Sequence, residues 1–424
     1  MNLKLLKDRN LVLLITAKFI SLIGSQLQTF ALSLYVLALT GSATNFAIVT
    51  AISIIPRIVI GPLAGVIADW FNRKKIIVYT DLLSGIIVGI YWVMFRLNGE
   101  ISLIGIYFLA VILSVISSIF LPAISTILPS IVKKDDLVDA NGLDSLTTNI
   151  GNLIAPLIGG ILFTTLGLEG ILLINSISFI FSAIGEMFIN IPKLDIKSEK
   201  LNTRVFITEF FEGIKFVKQK SFVFNIIILA LVLNFALSPI FSLGLTYIGK
   251  QVLKITDSQY GIMESILMAS MIISPFIVSK LNRNINPGKI MFLSIFSSSL
   301  LTVLIALISS DVYTSLFSSN FVPYISIIVV GFIIGMITSI ANISVTIIIQ
   351  KEIPLTMMGR VSAVISTGCV SAVPIGQLIF GILFDNFEAW VCIIFASLIL
   401  LITILKFRIS LLKGPEKELE LNKS

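Results

Sequence analysis

Twelve apolar runs, each long enough to cross a bilayer as a helix, fill most of this 424-residue chain. They lie near residues 11–38, 44–68, 76–96, 101–131, 146–166, 170–190, 222–248, 258–280, 288–309, 322–349, 360–383 and 389–408. About 20 apolar residues span the hydrocarbon core. Open strands would leave backbone groups unpaired in lipid, so the runs are read as helices. Charged residues make up 12% of the chain, against about 25% in soluble domains. The sequence therefore specifies an all-α integral membrane protein with twelve transmembrane helices. The first run follows Lys4 and Lys7 as a secretory signal would. It is too long for a signal's apolar stretch, lacks a small-residue cleavage site, and is read as span 1.

The basic residues set the topology. With both termini on one side, 25 of the 30 lysines and arginines fall in segments on that side. The opposite side holds Arg96, Lys250 and Lys254, while Lys18 and Arg57 lie inside spans. The positive-inside rule makes the richer side, and both termini, cytoplasmic. The net charge of +7 thus reflects membrane topology rather than nucleic-acid binding. The longest gap, 191–220, divides the spans six and six. The expected organisation is a six-helix bundle over 1–190, a cytoplasmic linker over 191–220, and a second bundle with a cytoplasmic tail over 221–424. Within the linker Val205, Phe206, Phe210, Ile214 and Val217 fall at helical spacing between charged residues, which reads as an amphipathic helix on the cytoplasmic surface, or as a solvated linker.

The halves look related. Ala155-Pro156 in span 5 parallels Val373-Pro374 in span 11, and Gly61-Pro62 in span 2 resembles Ser274-Pro275 in span 8. Such matches, with the six-and-six division, point to a duplicated unit of the kind transporters use.

Several chemistries have no basis in the sequence. Histidine is absent, which removes the commonest metal ligand and neutral-pH proton shuttle, so proton chemistry falls to carboxylates. Cys369 and Cys392 both sit in apolar runs and imply no disulfide framework. No phosphate-binding Gly-x-x-x-x-Gly-Lys-Ser/Thr loop is present. No cluster has metal-ligand or nucleophile–base character, and no polar region is large enough for an enzyme domain. The expectation is a non-enzymatic membrane protein without a metal or cofactor.

Two motifs carry the mechanism. Between spans 2 and 3 runs Gly65-Val-Ile-Ala-Asp69-Trp-Phe-Asn-Arg73-Lys74-Lys75. It resembles the Gly-x-x-x-Asp-Arg-x-Gly-Arg-Arg/Lys signature of the major facilitator superfamily, with Trp70 and Asn72 as departures. The resemblance implies a gate latch on the cytoplasmic side: Gly65 allows close helix approach, Asp69 meets the positive end of a helix in the other half, and Arg73 and Lys74 anchor it. Asp81, about one and a half turns further on, is expected to join it through an ion pair. The same residues also suit an ordinary charged loop. In span 5, Gly151-Asn152-Leu-Ile-Ala155-Pro156-Leu-Ile-Gly159-Gly160 resembles the superfamily's exporter-associated Gly-x-x-x-Gly-Pro-x-x-Gly-Gly motif, with Ala155 as the departure. Residues 151, 155 and 159 share one face for close packing, and Pro156 kinks the helix. This motif favours export, against span 8 as the partner; simple packing is the plainer reading.

A looser likeness extends along the chain. Ser21 to Tyr35, then Thr40 to Thr44, and the turn from Pro129 to Asn141, are similar to the macrolide-efflux and enterobactin-exporter branch of that superfamily. The resemblance implies two pseudo-symmetric six-helix bundles, the major facilitator fold, rocking about a midplane site. It also implies a monomer in the cytoplasmic membrane.

Charges inside spans should cost about 2.5–3.5 kcal/mol each at the midplane if they face lipid. Glu264, in span 8, is the leading candidate for a proton-titratable or cation-contacting group, and equally a structural partner for Lys18 or Arg57. Those two complete the set of coupling candidates, while Glu186 and Lys18 can also snorkel to the interface. Span 4 lacks any charged residue, unlike many drug–proton exporters, and sodium coupling stays open. In this fold helices 1, 4, 7 and 10 line the pathway, which makes Gln26, Gln28, Phe30, Asn234, Phe235, Asn342 and Thr346 the cavity candidates. The resulting expectation is a secondary transporter that exports amphiphilic, macrolide-like small molecules in exchange for protons. A gradient-driven importer, a membrane sensor and a lipid scramblase are the alternatives.

Overall fold

The computed structural model describes residues 5, 7–60, 72–133, 136–191, 203–281 and 286–413, and among them the regular elements are helical, with no strand. The main helices are α1 (Arg9–Thr40), α2 (Ala43–Ile52), α3 (Arg73–Asn98), α4 (Leu103–Ile131), α5 (Leu137–Met187), α6 (Thr203–Gln219), α7 (Ser221–Pro239), α8 (Asp257–Leu281), α9 (Pro287–Ile308), α10 (Phe321–Glu352), α11 (Leu355–Asn386) and α12 (Ala389–Lys406). Ten of the described helices are long and apolar enough to cross a membrane. One of them, α5, contains two of the expected spans. They join at Gly167, whose φ of 63° and ψ of −167° reverse the chain in a conformation that side chains disfavour. With α5 counted twice and α8 added, the helices account for the twelve apolar runs.

Local chemistry explains the boundaries. The Asp8 carboxylate opens α1 by accepting from the backbone N–H groups of Asn10 (2.9 Å) and Leu11 (3.1 Å). Asn72 does the same for α3 through Lys75 N–H. In α2 the regular helix breaks at Ser53 and Ile54, just before Pro56, which has no N–H to donate to the Ile52 carbonyl. The carbonyl of Ser53 accepts instead from Ser114 Oγ of α4 at 2.6 Å. After Pro239, α7 widens into two π-type turns, Ile240–Gly244 and Ile248–Val252.

The chain forms two units. Unit 1 gathers Met1–Gly41, Ile48–Leu201 and Asp257–Ser265; unit 2 gathers Ser42–Ala47, Asn202–Thr256 and Ile266–Ser424. In unit 1, one core cluster joins Leu11 and Leu14 at the start of α1, Ile77 at the start of α3, Ile127 at the end of α4, Leu143 near the start of α5 and Ile189 beyond its end. A second joins Val36, Val88, Ile106 and Leu172. Successive helices therefore run antiparallel. Arg9, Arg73, Lys74, Lys75 and Lys133 lie toward the first cluster, and Arg96, paired with Glu169 at 3.1 Å, toward the second. Helix α1 packs along both arms of α5: Gly151 faces Phe19 and Leu22, and Gly185 faces Ala17.

In unit 2, α6 lies on α11. A Cβ at Gly213 would stand 2.8 Å from the Arg360 carbonyl oxygen, and Arg360 Nη1 donates to Glu212 Oε2 at 2.7 Å. The amphipathic face thus covers another helix, burying Val217.

Candidate functional site

The stretch of α5 with Gly151, Ala155, Pro156, Gly159 and Gly160 carries the most organised constellation. The first arm of α5 is pressed against the first turns of α8, which belong to the same unit. A Cβ on Gly160 would lie 2.6 Å from the Asp257 carbonyl oxygen and 3.1 Å from Ser258 Cα, both backbone atoms. From the other side, a Cβ on Gly261 would collide with the Pro156 carbonyl oxygen. Two backbones meet here with no room for any side chain, which is the physical reason for glycine at both positions. Ala155 is fully buried beside them.

Polar and aromatic contacts extend this seat. Thr164 Oγ1 donates to the Gly160 carbonyl (2.8 Å) and lies 3.3 Å from Ser258 Oγ. Gly159 faces Phe30 of α1, and the Phe30 ring stacks on Tyr260 with centroids 5.3 Å apart. Tyr260 in turn donates its hydroxyl to Glu264 Oε1 at 2.8 Å. Three groups singled out separately in the sequence, the span-5 motif, Phe30 and Glu264, are thereby joined through Tyr260. Tyr260 was not among the expected site residues, although its i, i+4 spacing to Glu264 on one helix face was a readable signal.

The other coupling candidates lie elsewhere. Lys18 is bonded to both carboxylate oxygens of Asp144, at 2.6 and 2.8 Å, so its partner is neither Glu264 nor the interface. Arg57 is exposed, in the short helical stretch beyond the break in α2.

Of the latch residues, Gly65 and Asp69 lie outside the described residues, while Arg73 and Lys74 form the first turn of α3. Asp81 departs from the expected latch ion pair. It is 3% exposed and lies beside Ser182 and Glu186 of α5. Glu186 itself does not snorkel: it is fully buried.

The cavity candidates are also dispersed. Gln26 donates to Asn152 Oδ1 at 2.9 Å, so that α1 is tied to the span-5 motif. Gln28 is 3% exposed and accepts from Asn175 Nδ2 at 2.6 Å, which engages its amide inside unit 1. Asn234 donates back to the Ala230 carbonyl, and Phe235 packs edge-on to Phe380. Asn342 and Thr346 are exposed on α10, with Thr346 Oγ1 donating to the Asn342 carbonyl.

A second constellation was missed. In unit 2, Asp385 near the end of α11 accepts from Ser42 Oγ (2.6 Å), Ala43 N–H (2.6 Å) and Thr44 N–H (3.0 Å), capping the start of α2. A single aspartate over 340 residues from its partners has no local spacing that reveals such a role.

Comparison with known proteins adds a family context. Residues 14–376 match the profile of the Major Facilitator Superfamily. Macrolide efflux protein A of Streptococcus pyogenes is 25% identical over 221 residues, covering 52% of this chain and 54% of that protein; the alignment thus spans about half the length of that relative. The uncharacterised MFS-type transporter YkuC of Bacillus subtilis is 24% identical over 98% of this chain and 95% of its own. The enterobactin exporter EntS of Shigella boydii is 30% identical over 154 residues, 36% of each chain. Among solved structures, the nucleoside transporter NupG superposes with a TM-score of 0.74 at 15% identity, covering 97% of this chain and 99% of its own. A bacterial homologue of the iron transporter ferroportin, in an inward-facing state, gives 0.71 at 16% identity, covering 96% and 98%. These two likenesses establish the fold.

Proposed function

Because the chain belongs to the major facilitator superfamily, and is thus a multi-pass membrane transporter rather than an enzyme, we propose that it exports amphiphilic, macrolide-like small molecules in exchange for protons. The observation that carries this reading is the seat of α8 on the stretch of α5 from Gly151 to Gly160. A motif associated with exporters is here built as a backbone-to-backbone contact between two helices, with Glu264 one turn away from the contact. The efflux proteins among the relatives support the same direction of transport.

In this reading the bundles 1–190 and 221–424 rock about a midplane site, joined by the 191–220 linker. Gly65, Asp69, Arg73 and Lys74 act as the latch on the cytoplasmic side. Both termini are cytoplasmic, the protein sits in the cytoplasmic membrane, and it works as a monomer. Glu264 takes up the proton, held in place by Tyr260.

The test is transport in everted membrane vesicles energised by respiration, with a labelled macrolide as probe. Export requires accumulation inside the vesicles that collapses when the pH gradient is dissipated. Gradient-driven uptake into intact cells would instead make the protein an importer.

A further inference from the structure

We propose that Asp81 of α3 and Glu186 of α5 form a proton-binding pair, two carboxyl groups that hold one proton between them inside unit 1. The register of the two helices places them together. Gly85 faces Phe179 and Ile180, and Gly89 faces Ser176, so α3 and α5 run antiparallel in close contact. Ser176 Oγ donates to the Gly85 carbonyl at 2.8 Å. One turn before Gly85 comes Asp81; one to two turns beyond Phe179 come Ser182 and Glu186. Asp81 is 3% exposed, and Ser182 and Glu186 are fully buried.

Carboxyl oxygens of this group are unsatisfied. Asp81 Oδ2 and both carboxylate oxygens of Glu186 have no hydrogen-bond partner, and the Ser182 hydroxyl stands beside Asp81. A buried ionised carboxylate without donors costs several kcal/mol, and ionising the second of two adjacent ones costs more because like charges repel. Counter-charge is not at hand among the described residues. Between 103 and 131, α4 carries no acid or basic residue, only Tyr107. Helix α1 passes at Ala17, and its neighbour Lys18 is held by Asp144. On α3 itself, Arg73, Lys74 and Lys75 lie about two turns before Asp81. One shared proton resolves the conflict: one carboxyl donates to the other carboxylate, and the Ser182 hydroxyl completes the group. Loss of the proton to water leaves two facing anions that push α3 and α5 apart. Magnesium or calcium would need about six oxygen ligands, and no third acid, histidine or cysteine joins the pair among the described residues.

The role of this proton in transport rests on the antiport reading above; its binding does not. The experiment is a pH-step infrared difference spectrum of the full-length protein in liposomes, read at the C=O stretch of buried protonated carboxyls. The wild type should show a titrating band. Asp81→Asn and Glu186→Gln, both isosteric, should each shift its midpoint by at least about one pH unit. The double variant should abolish it while eluting as a monodisperse protein. A band that survives the double variant, or midpoints unmoved in the single variants, overturns the proposal. So does a wild-type midpoint that moves with sodium but not with potassium, which would mark a cation site. In the same liposomes the double variant should lose at least about tenfold in pH-driven transport, a barrier change of about 1.4 kcal/mol, while keeping substrate exchange at equal pH. Intact pH-driven transport in that variant removes the pair from coupling. Absence of pH-driven transport in the wild type refutes proton antiport, and the infrared titration still decides the pair.

Discussion

Two helix contacts, each built on a glycine, solve the same problem with different chemistry. On α5, a Cβ at Gly160 would meet the Asp257 carbonyl oxygen and Ser258 Cα; on α11, one at Gly381 would meet Ala47 Cβ, Thr44 Cα and the Ala43 carbonyl oxygen. Each glycine thus lets the first turn of the other helix come close. One turn further along, the two contacts diverge. Thr164 reaches Ser258 hydroxyl to hydroxyl at 3.3 Å, whereas Asp385 takes two backbone N–H groups and a serine hydroxyl at the start of α2. A carboxylate at a helix N-terminus adds charge-assisted bonds and a favourable dipole term. A neutral hydroxyl adds little. The α2 contact is therefore clasped by a carboxylate, whereas at the α8 contact Thr164 and Ser258 bring neutral hydroxyls to a close backbone fit.

If the close backbone fit is what seats α8, the largest effect should come from filling it. Gly160→Ala places a methyl 2.6 Å from a backbone oxygen that has no rotamer to escape into. Overpacking of this kind costs about 1–3 kcal/mol. Vesicle transport of the labelled macrolide should fall by roughly tenfold or more at unchanged expression. Wild-type transport in Gly160→Ala would remove the seat from the mechanism. Gly381→Ala should cost a similar amount, because Ala47 Cβ at 2.7 Å is fixed to its own backbone and Thr44 Cα and the Ala43 carbonyl oxygen stand just behind it.

Next in size is loss of the clasp. Asp385→Ala removes the cap of α2, typically worth about 1 kcal/mol. In a protein with Cys369 and Cys392 replaced by serine, Thr44→Cys should react with a membrane-impermeant maleimide about fivefold faster once Asp385 is alanine. Asp385→Asn keeps one acceptor and should fall between. Equal labelling rates in all three would mean that the carboxylate holds nothing.

The two contacts also differ in how far they could be read from the sequence. The α5 seat was legible because its residues are contiguous: glycine and proline at fixed spacing report a close approach whichever helix arrives. Span count and antiparallel order followed from run length. Asp385 was not legible, since its partners are over 340 residues away and two of them are backbone groups that any residue supplies. The nearness of Asp81 to Glu186 was not legible for a related reason. Both stand a turn or two from basic or interfacial sequence, where pairing or snorkelling is the ordinary outcome, and only the α3–α5 register turns them toward each other. Lys18 similarly found Asp144, 126 residues on. Pairings across helices depend on rotation about each axis, which apolar periodicity leaves loosely defined in a helix apolar on most sides.

Smaller effects would sharpen the contrast. Thr164→Val deletes the hydroxyl contact but keeps the shape; neutral hydrogen bonds contribute about 0.5–1.5 kcal/mol. Maleimide labelling of Gln259→Cys should rise no more than about threefold, less than the Asp385→Ala effect at Thr44→Cys. A larger rise would show that the α8 contact depends on polar bonding after all.

The smallest structural change is expected from Tyr260→Phe, and it separates packing from chemistry at one residue. The phenylalanine ring keeps the stack on Phe30, whose centroid lies 5.3 Å away, so the seat should stay closed and Gln259→Cys labelling should change less than about twofold. Glu264 loses the hydroxyl that donates to it at 2.8 Å. If Glu264 carries the proton, losing that donor changes how readily its carboxylate forms, and the pH profile of macrolide transport should move although labelling does not. If both stay at wild-type values, Glu264 is a structural residue and coupling belongs elsewhere. If labelling rises instead, the hydroxyl is part of the closure, and α8 would be clasped much as α2 is by Asp385.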